Sequence, residues 1–462
     1  MTLRLLTLWD TLRSSLWFVP ALMIAMAAGL SFVVIALDRG GAQQVMAKTS
    51  WVWGGGPDGA REVLSTIAGS MITVAGVVFS ITIVAFQLAS SQFGPRLLRN
   101  FMRDTGNQVV LGTFIATFLY SLLVLRTVRG EDSDEFVPYL SVALAIVLAV
   151  VSLGVLIYFI HHVSVSIQAA HVIAVVSDEL AYAIERLFPE QLGHGVPVGD
   201  LNKEVDIPEG FADTAQPIAA ADNGYLQTID TEKLLEIAGA HDLVLALQYR
   251  PGHFVEQDST CTLVWPGERV DEQLTAQISA AFVYGPERTL TQDVEFAVDQ
   301  LVEVAVRALS PGTNDPFTAI RCIDRLGAAL CQLTGRVMPS PYRYDDTGTL
   351  RVIVPAVTFA GVTDAAFNQI RQYGRTSAAV TIRLLERIAA VAIHTYREED
   401  RAVLLRHAVM IEQDSHAGLP QEQDRQDVQA RFQAVVRALE QRRVNTATIP
   451  VCQPRRSSST KE

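Results

Sequence analysis

The stretch that decides the fold is REVLSTIAGSMITVAGVVFSITIVAFQLASSQFGPR, residues 61–96. Between Glu62 and Arg96 it holds no charge, and Val63–Gln92 is an uninterrupted run of 30 residues. At about 1.5 Å per residue a helix over that run measures about 45 Å, against about 30 Å of bilayer hydrocarbon. Such a segment predicts a membrane span that tilts, bends at Gly69 or Gly76, or projects from the bilayer.

Three further apolar runs flank it. Leu16–Leu37 opens with Trp17 and Phe18, aromatic anchors of the kind found at membrane interfaces. Val109–Leu125 closes on Arg126, and Phe136–Ile160 ends at His161 and His162. The whole chain is 19% charged and 49% hydrophobic. Soluble domains carry about 25% charge, and the shortfall is concentrated in residues 1–165. A wholly soluble enzyme, a secreted disulfide scaffold and a disordered chain are excluded. The first run is too long for a signal peptide's apolar core and lacks a clean cleavage site.

Residues 1–165 hold ten Lys/Arg and nine Asp/Glu, a net of +1, so the rest carries −13 of the total −12. An acidic soluble part lacks the basic footprint that nucleic acid requires. Cys261, Cys322, Cys331 and Cys452 all lie there, with spacings of neither a zinc knuckle nor a CxxC pair. They read as free thiols in a reducing compartment. Cations flanking the spans divide evenly: Arg4, Arg13, Arg96, Arg99 and Arg103 against Arg39, Lys48, Arg61, Arg126 and Arg129. The dense basic loop Phe93–Asp104, the acidic cluster Glu131, Asp132, Asp134 and Glu135, and the cysteines break the tie. Both termini are expected in the cytoplasm.

The expected organisation is an α-helical integral membrane protein with a mixed α/β, mostly helical, cytoplasmic domain. A transmembrane domain occupies 1–165, with spans at about 16–37, 63–92, 109–125 and 136–160. Apolar periodicity through Ile167, Val172, Val176, Leu180, Ile184 and Leu187 extends the fourth span as one helix over 161–188. A linker at 189–221 leads to a small β-rich unit at 222–266. A mostly helical region follows at 267–441, with helices at Val270–Phe282, Thr291–Leu309 and Phe317–Leu333 and a hairpin turning at Asp345–Gly348. Residues 442–462 read as a disordered tail. The cadence GYLQTID … LALQYRPGHFVEQDSTCTLVWP resembles the barrel-sandwich units of biotinyl and lipoyl carrier domains. No lysine stands at a hairpin tip, since Lys233 falls within a helix, so the unit is structural and no cofactor is implied.

Two segments carry a further resemblance: VVFSITIVAFQLASSQFGPRLLRNF at 77–101 and LTQDVEFAVDQLVEVAVRALSPGTNDPFTAI at 290–320. With the four spans, they resemble a bacterial family of predicted membrane proteins catalogued as a domain of unknown function. The resemblance spans nearly the whole chain. It implies a bacterial inner-membrane location and no particular activity.

Several constellations invite chemistry. On the second span Thr66, Gly69, Ser70, Thr73, Gly76, Ser80, Gln87 and Ser91 share about a third of the helix circumference. Small and hydroxylated residues suit close helix packing, and equally a water-filled path for an ion or small polar solute. Gln87 discriminates, because an amide in hydrocarbon needs a partner or water. His161 and His162 point about 100° apart on a helix and cannot face one metal ion; they read as interfacial residues or pH sensors. Glu295, Asp299, Glu303 and Arg307 recur every fourth residue, as a solvated salt-bridged face or a site for divalent cations or a basic partner. In Ser310-Pro311-Gly312-Thr313-Asn314-Asp315-Pro316, Gly312 suits a positive φ, Asp315 an N-cap and Pro316 the first helical position. The same amides offer an anion site.

No nucleophile elbow, HExxH, phosphate loop or dinucleotide fingerprint occurs, so nothing argues for an enzyme. The leading function is an oligomeric, channel-like or transport-associated inner-membrane protein whose cytoplasmic part gates or couples. Its partners are then the bilayer and copies of itself. The alternative is a membrane-anchored sensor or interaction scaffold with no conduction pathway.

Overall fold

The computed structural model describes residues 15–42, 56–97, 101–102, 104–130, 136–188 and 207–446. The chain divides into two compact units, Met1–Val172 and Ile173–Glu462.

Among the described residues, the first unit has four helices long and apolar enough to cross a membrane. Helix α1 spans Phe18–Leu37 and passes into a wider turn at Asp38–Ala42. Helix α2, Pro57–Phe93, is 37 residues long, because Gly56 and Pro57 start it six residues before the apolar run. Gly94, at φ 111°, ends it. Helix α3, Thr105–Leu125, starts on the Asp104 side chain, which accepts the Gly106 amide. Helix α4 is Tyr139–Ser166.

The expected single helix through 188 is interrupted. The chain leaves the α-helix at Ile167–Gln168 and resumes in α5, Ala169–Leu187. The hydroxyls of Ser164 and Ser166 donate back to the Ile160 and His162 carbonyls, and the Gln168 amide turns to the Val165 carbonyl. Side-chain competition for helix carbonyls of this kind bends or breaks helices. Apolar periodicity continues across the break, so hydrophobic pattern alone does not register it.

Two apolar clusters fill the bundle. Ala60, Leu64, Tyr120, Val124, Val142 and Ala145 form one; Ala75, Val78, Val110, Phe114 and Phe159 form the other. Gly112 lets α3 approach α1, since a Cβ there would meet Met23 and Pro20. Inside the bundle the Thr117 and Ser152 hydroxyls pair at 3.2 Å.

In the second unit the chain forms strands β1 (Gln216–Ala219) and β2 (Gly224–Ile229), helix α6 (Thr231–Ala240), and strands β3 (Val244–Leu247), β4 (Phe254–Val255) and β5 (Thr260–Trp265). Helix α7 (Glu272–Ser279) is followed by β6, Phe282–Gly285. Helices α8 (Val294–Ala308) and α9 (Pro316–Thr334) precede β7 (Tyr342–Tyr344) and β8 (Leu350–Ile353). Helices α10 (Phe359–Gly374), α11 (Ala378–His394), α12 (Glu398–Gly418) and α13 (Glu422–Thr446) complete the unit.

The strands form a five-stranded sheet, β1-β5-β3-β8-β7, and a three-stranded sheet, β4-β2-β6. The expected β unit at 222–266 is therefore too small. Strand β1 lies in the segment read as linker, and β6, β7 and β8 come from the region read as mostly helical. The β7–β8 hairpin adds β8 parallel to β3, pairing Leu245 with Val352. The helix expected over Val270–Phe282 stops at Ser279, because Phe282 pairs with Ile229 of β2. That pairing is non-local, and an aromatic, β-branched triplet follows it into the sheet. Leu226, Leu234, Leu245, Val255, Val264, Ile278 and Val352 bury the core between sheets and helices. In the helical part, α11 packs against α9 and α13, and α8 against α9 and α10.

Asp230, Asp271, Asp293 and Asp315 each cap a helix start by accepting the amide three residues on. Cys261 and Cys322 are buried free thiols and Cys331 is half-buried. Helix α13 runs to Thr446, into the segment read as tail. The acidic cluster Glu131–Glu135, residues 189–206 and 447–462, and Arg4, Arg13, Lys48, Arg99 and Arg103 lie outside the described residues.

Candidate functional site

Helix α2 carries the polar stripe, and its orientation follows from which side packs. Ala60, Leu64, Ala68, Ala75, Val78, Phe86, Ala89 and Phe93 are its buried residues, on the side turned to α3 and α4. The stripe occupies the other side: Thr66, Ser70, Thr73, Ser80, Gln87 and Ser91 are all exposed. A Cβ added at Gly69 or Gly76 would meet nothing within 4 Å. Two hydroxyls satisfy themselves within the helix, Thr73 on the Gly69 carbonyl at 2.8 Å and Ser91 on the Leu88 carbonyl at 2.9 Å. Among the described residues the stripe packs against no other span of the chain. Glu62, exposed one turn before Thr66, continues the same face.

Charged groups of the bundle sit at helix ends. Asp38 follows the first apolar run directly and is only 2% exposed. Its carboxylate accepts the Leu140 amide at 3.1 Å, the Ser141 amide at 3.0 Å and the Ser141 hydroxyl at 2.6 Å. A carboxylate against two free amides at the start of α4 answers the helix dipole. The Tyr120 hydroxyl donates to the Ser141 carbonyl beside it. At the opposite end of α4, His162 turns inward to Asp104 and His161 is exposed.

The acidic stripe of α8 is distributed among arginines. Arg288 meets Asp293 through Nε at 2.7 Å and Nη2 at 3.0 Å, and Asp299 through Nη1 at 2.5 Å. Arg250 bonds Glu295 at 2.8 Å and Arg307 bonds Glu303 at 3.2 Å. Burial pulls the Arg288 guanidinium down, and its two carboxylates outweigh that and leave it above its ordinary value. Each of Glu295, Asp299 and Glu303 thus faces a cation of the chain. Among the described residues no three His, Cys, Asp or Glu converge as a metal site.

The run 310–316 is a surface connector between α8 and α9. Asp315 accepts the Thr318 amide at 3.1 Å and the Thr318 hydroxyl at 2.5 Å. The hydroxyl bond foremost holds its carboxyl below the usual range, against a small cost of burial. The positive φ expected at Gly312 falls instead on Asn314, at 46°. Asn tolerates that region because its short polar side chain can bond locally. Gly312 has open space around it, and Ser310 donates to the Arg307 carbonyl at 2.6 Å.

Asp38, Tyr120, Asp104 and Arg288 are the residues that sequence reasoning misses. Asp38 alone carries a local signal, as the first charge after an apolar run. The others are defined by partners distant in sequence.

The family described as "Predicted membrane protein (DUF2254)" matches residues 13–390. An uncharacterized protein of Mycobacterium tuberculosis, Rv1290c, is 33% identical over 425 residues, covering 90% of this chain and 79% of that protein. The uncharacterized protein Mb1321c of Mycobacterium bovis matches with the same identity and coverage. No solved structure matches the chain. The chain belongs to the DUF2254 family of predicted membrane proteins.

Proposed function

We propose that this chain assembles with copies of itself into a channel-like or transport-associated protein of the bacterial inner membrane. Both termini lie in the cytoplasm in this reading, and the soluble region gates or couples. One observation carries it: the polar face of α2 is turned away from its own bundle. The centre of that bundle is closed by Tyr120, Phe114 and Phe159, all fully buried, so a polar route runs between chains. Hydroxyls, glycines and one amide facing lipid are poorly solvated there. Against a second copy, small residues allow close backbone approach, and around a shared axis they line water.

The solute class is an ion or small polar molecule. Glu62 lies on this face, and no Lys or Arg occurs from Glu62 to Phe93, which favours a cation. The test is particle mass in detergent together with ion flux in liposomes. A monomer overturns the shared route. An oligomer without flux supports a membrane-anchored sensor or scaffold instead.

A further inference from the structure

His162 lies near the end of α4, five residues before the break at Ile167–Gln168. Its Nε2 is 2.5 Å from Asp104 Oδ2, and its Nδ1 is 3.4 Å from the Tyr158 hydroxyl. The Tyr158 and His162 rings stack with centroids 5.2 Å apart. Asp104 simultaneously caps α3 through the Gly106 amide and accepts from Asn107 Nδ2 at 3.3 Å. The three groups converge on Gly106: a Cβ there would stand 2.8 Å from His162 Nε2, 3.0 Å from Asp104 Oδ1 and 3.1 Å from the Tyr158 hydroxyl. The second residue of α3 is thus a glycine, which leaves room for the imidazole.

We propose that Asp104, His162 and Tyr158 form a proton-sensitive clamp holding the end of the fourth span to the start of the third. Both protonation states of the imidazole fit the site. In the neutral form Nε2–H donates to Asp104 and Nδ1 accepts from the Tyr158 hydroxyl. In the cationic form both ring nitrogens donate, and the tyrosine oxygen accepts. The cationic form makes the charge-assisted bond, which is the stronger of the two. Side chains of His162 and Asp104 remain about a quarter open to solvent, at 23% and 22%, so the proton exchanges with water.

Other ionisable groups on the packed elements are few among the described residues. Helix α1 carries no charged residue, α2 carries none between Val63 and Phe93, and Arg96 stands in the turn that follows α2. Helix α3 contributes Asp104 at its cap, and α4 contributes Tyr158 and the exposed His161. Deprotonation of His162 leaves a weaker neutral bond. The device acts where the chain passes from α4 into α5, so its charge state sets the stiffness of that two-residue break.

The test places a nitroxide at Gln168→Cys, an exposed position, in the full chain with its native cysteines replaced by alanine and reconstituted in nanodiscs. Label mobility at 168 rises as the pH is raised from mildly acidic to mildly alkaline. His162→Gln keeps a donor for Asp104, and in it that transition is lost. Tyr158→Phe retains the transition with a shifted midpoint, because Nδ1 loses its partner. Gly106→Ala gives a mobile label at every pH. A flat wild-type profile, or a transition that survives in His162→Gln, overturns the proposal. Should His162→Gln fail to assemble, the Tyr158→Phe midpoint decides: an unmoved midpoint overturns it.

Discussion

Asp38 and Ser141 are 103 positions apart in sequence, and the Asp38 carboxylate meets the Ser141 hydroxyl at 2.6 Å. That contact joins the end of the first span to the start of the fourth. Asp38→Ala removes the acceptor of two amides and one hydroxyl in a buried place, and is expected to cost about 2–3 kcal/mol, above an ordinary cap. Asp38→Asn keeps one acceptor oxygen and costs less. Thermal stability in detergent checks both, and an unchanged Asp38→Ala excludes the anchoring role.

The connector at 310–316 separates folding from function. Asp315→Ala loses a cap worth about 0.5–2 kcal/mol. Asn314→Ala puts a Cβ without a local partner at positive φ, costing about 1 kcal/mol, while Asn314→Gly is nearly neutral. Gly312→Ala, with open space and no positive φ, changes melting little. If activity falls only in step with melting, the run is a connector; lost activity at normal melting marks a ligand site.

His407 is fully buried with Nε2 2.7 Å from Asp364, and burial holds its imidazole below the ordinary value. His253 is lowered the same way, by burial and then by Arg250. The unfolded chain therefore binds protons first as the pH falls. Stability from these groups is present above about pH 6.5 and lost progressively below it. Melting followed from about pH 8 to about pH 5 is expected to fall, with a shallower fall in His407→Gln. Identical slopes in the two proteins contradict the assignment.

Topology is best read away from the native thiols, since Cys261 is 2% exposed and unreactive from either side. Gln423→Cys, on exposed α13, is expected to resist impermeant maleimide in intact cells and react after lysis. Labelling in intact cells reverses the orientation.

The four spans were legible because a run such as Val63–Gln92 is a local property of the chain. The cap residue Asp315 acts within three residues and is legible for the same reason. What the chain hides is non-local. Phe282 reads as helix until Ile229 pairs with it, and His162 reads as interfacial until Asp104 is found beside it. The stripe on α2 is visible in sequence as a face. Which way that face points depends on Ala60, Leu64, Ala75 and Val78 winning the bundle contacts. Those small and apolar residues pack closely, whereas on the opposite side the Thr73 and Ser91 hydroxyls bond carbonyls of their own helix.

The central claim is that the α2 face forms a polar route between copies. Replacing Ser80 and Gln87 together with Leu makes that face apolar, and the measurement pairs oligomer mass in detergent with cation flux in liposomes. The account predicts an intact oligomer and blocked flux, because residues lining a route make few packing contacts. Under close helix packing the same change overfills the interface at about 1–3 kcal/mol and the oligomer falls apart. Dissociation of the double variant, or absence of flux in the wild-type oligomer, contradicts the claim.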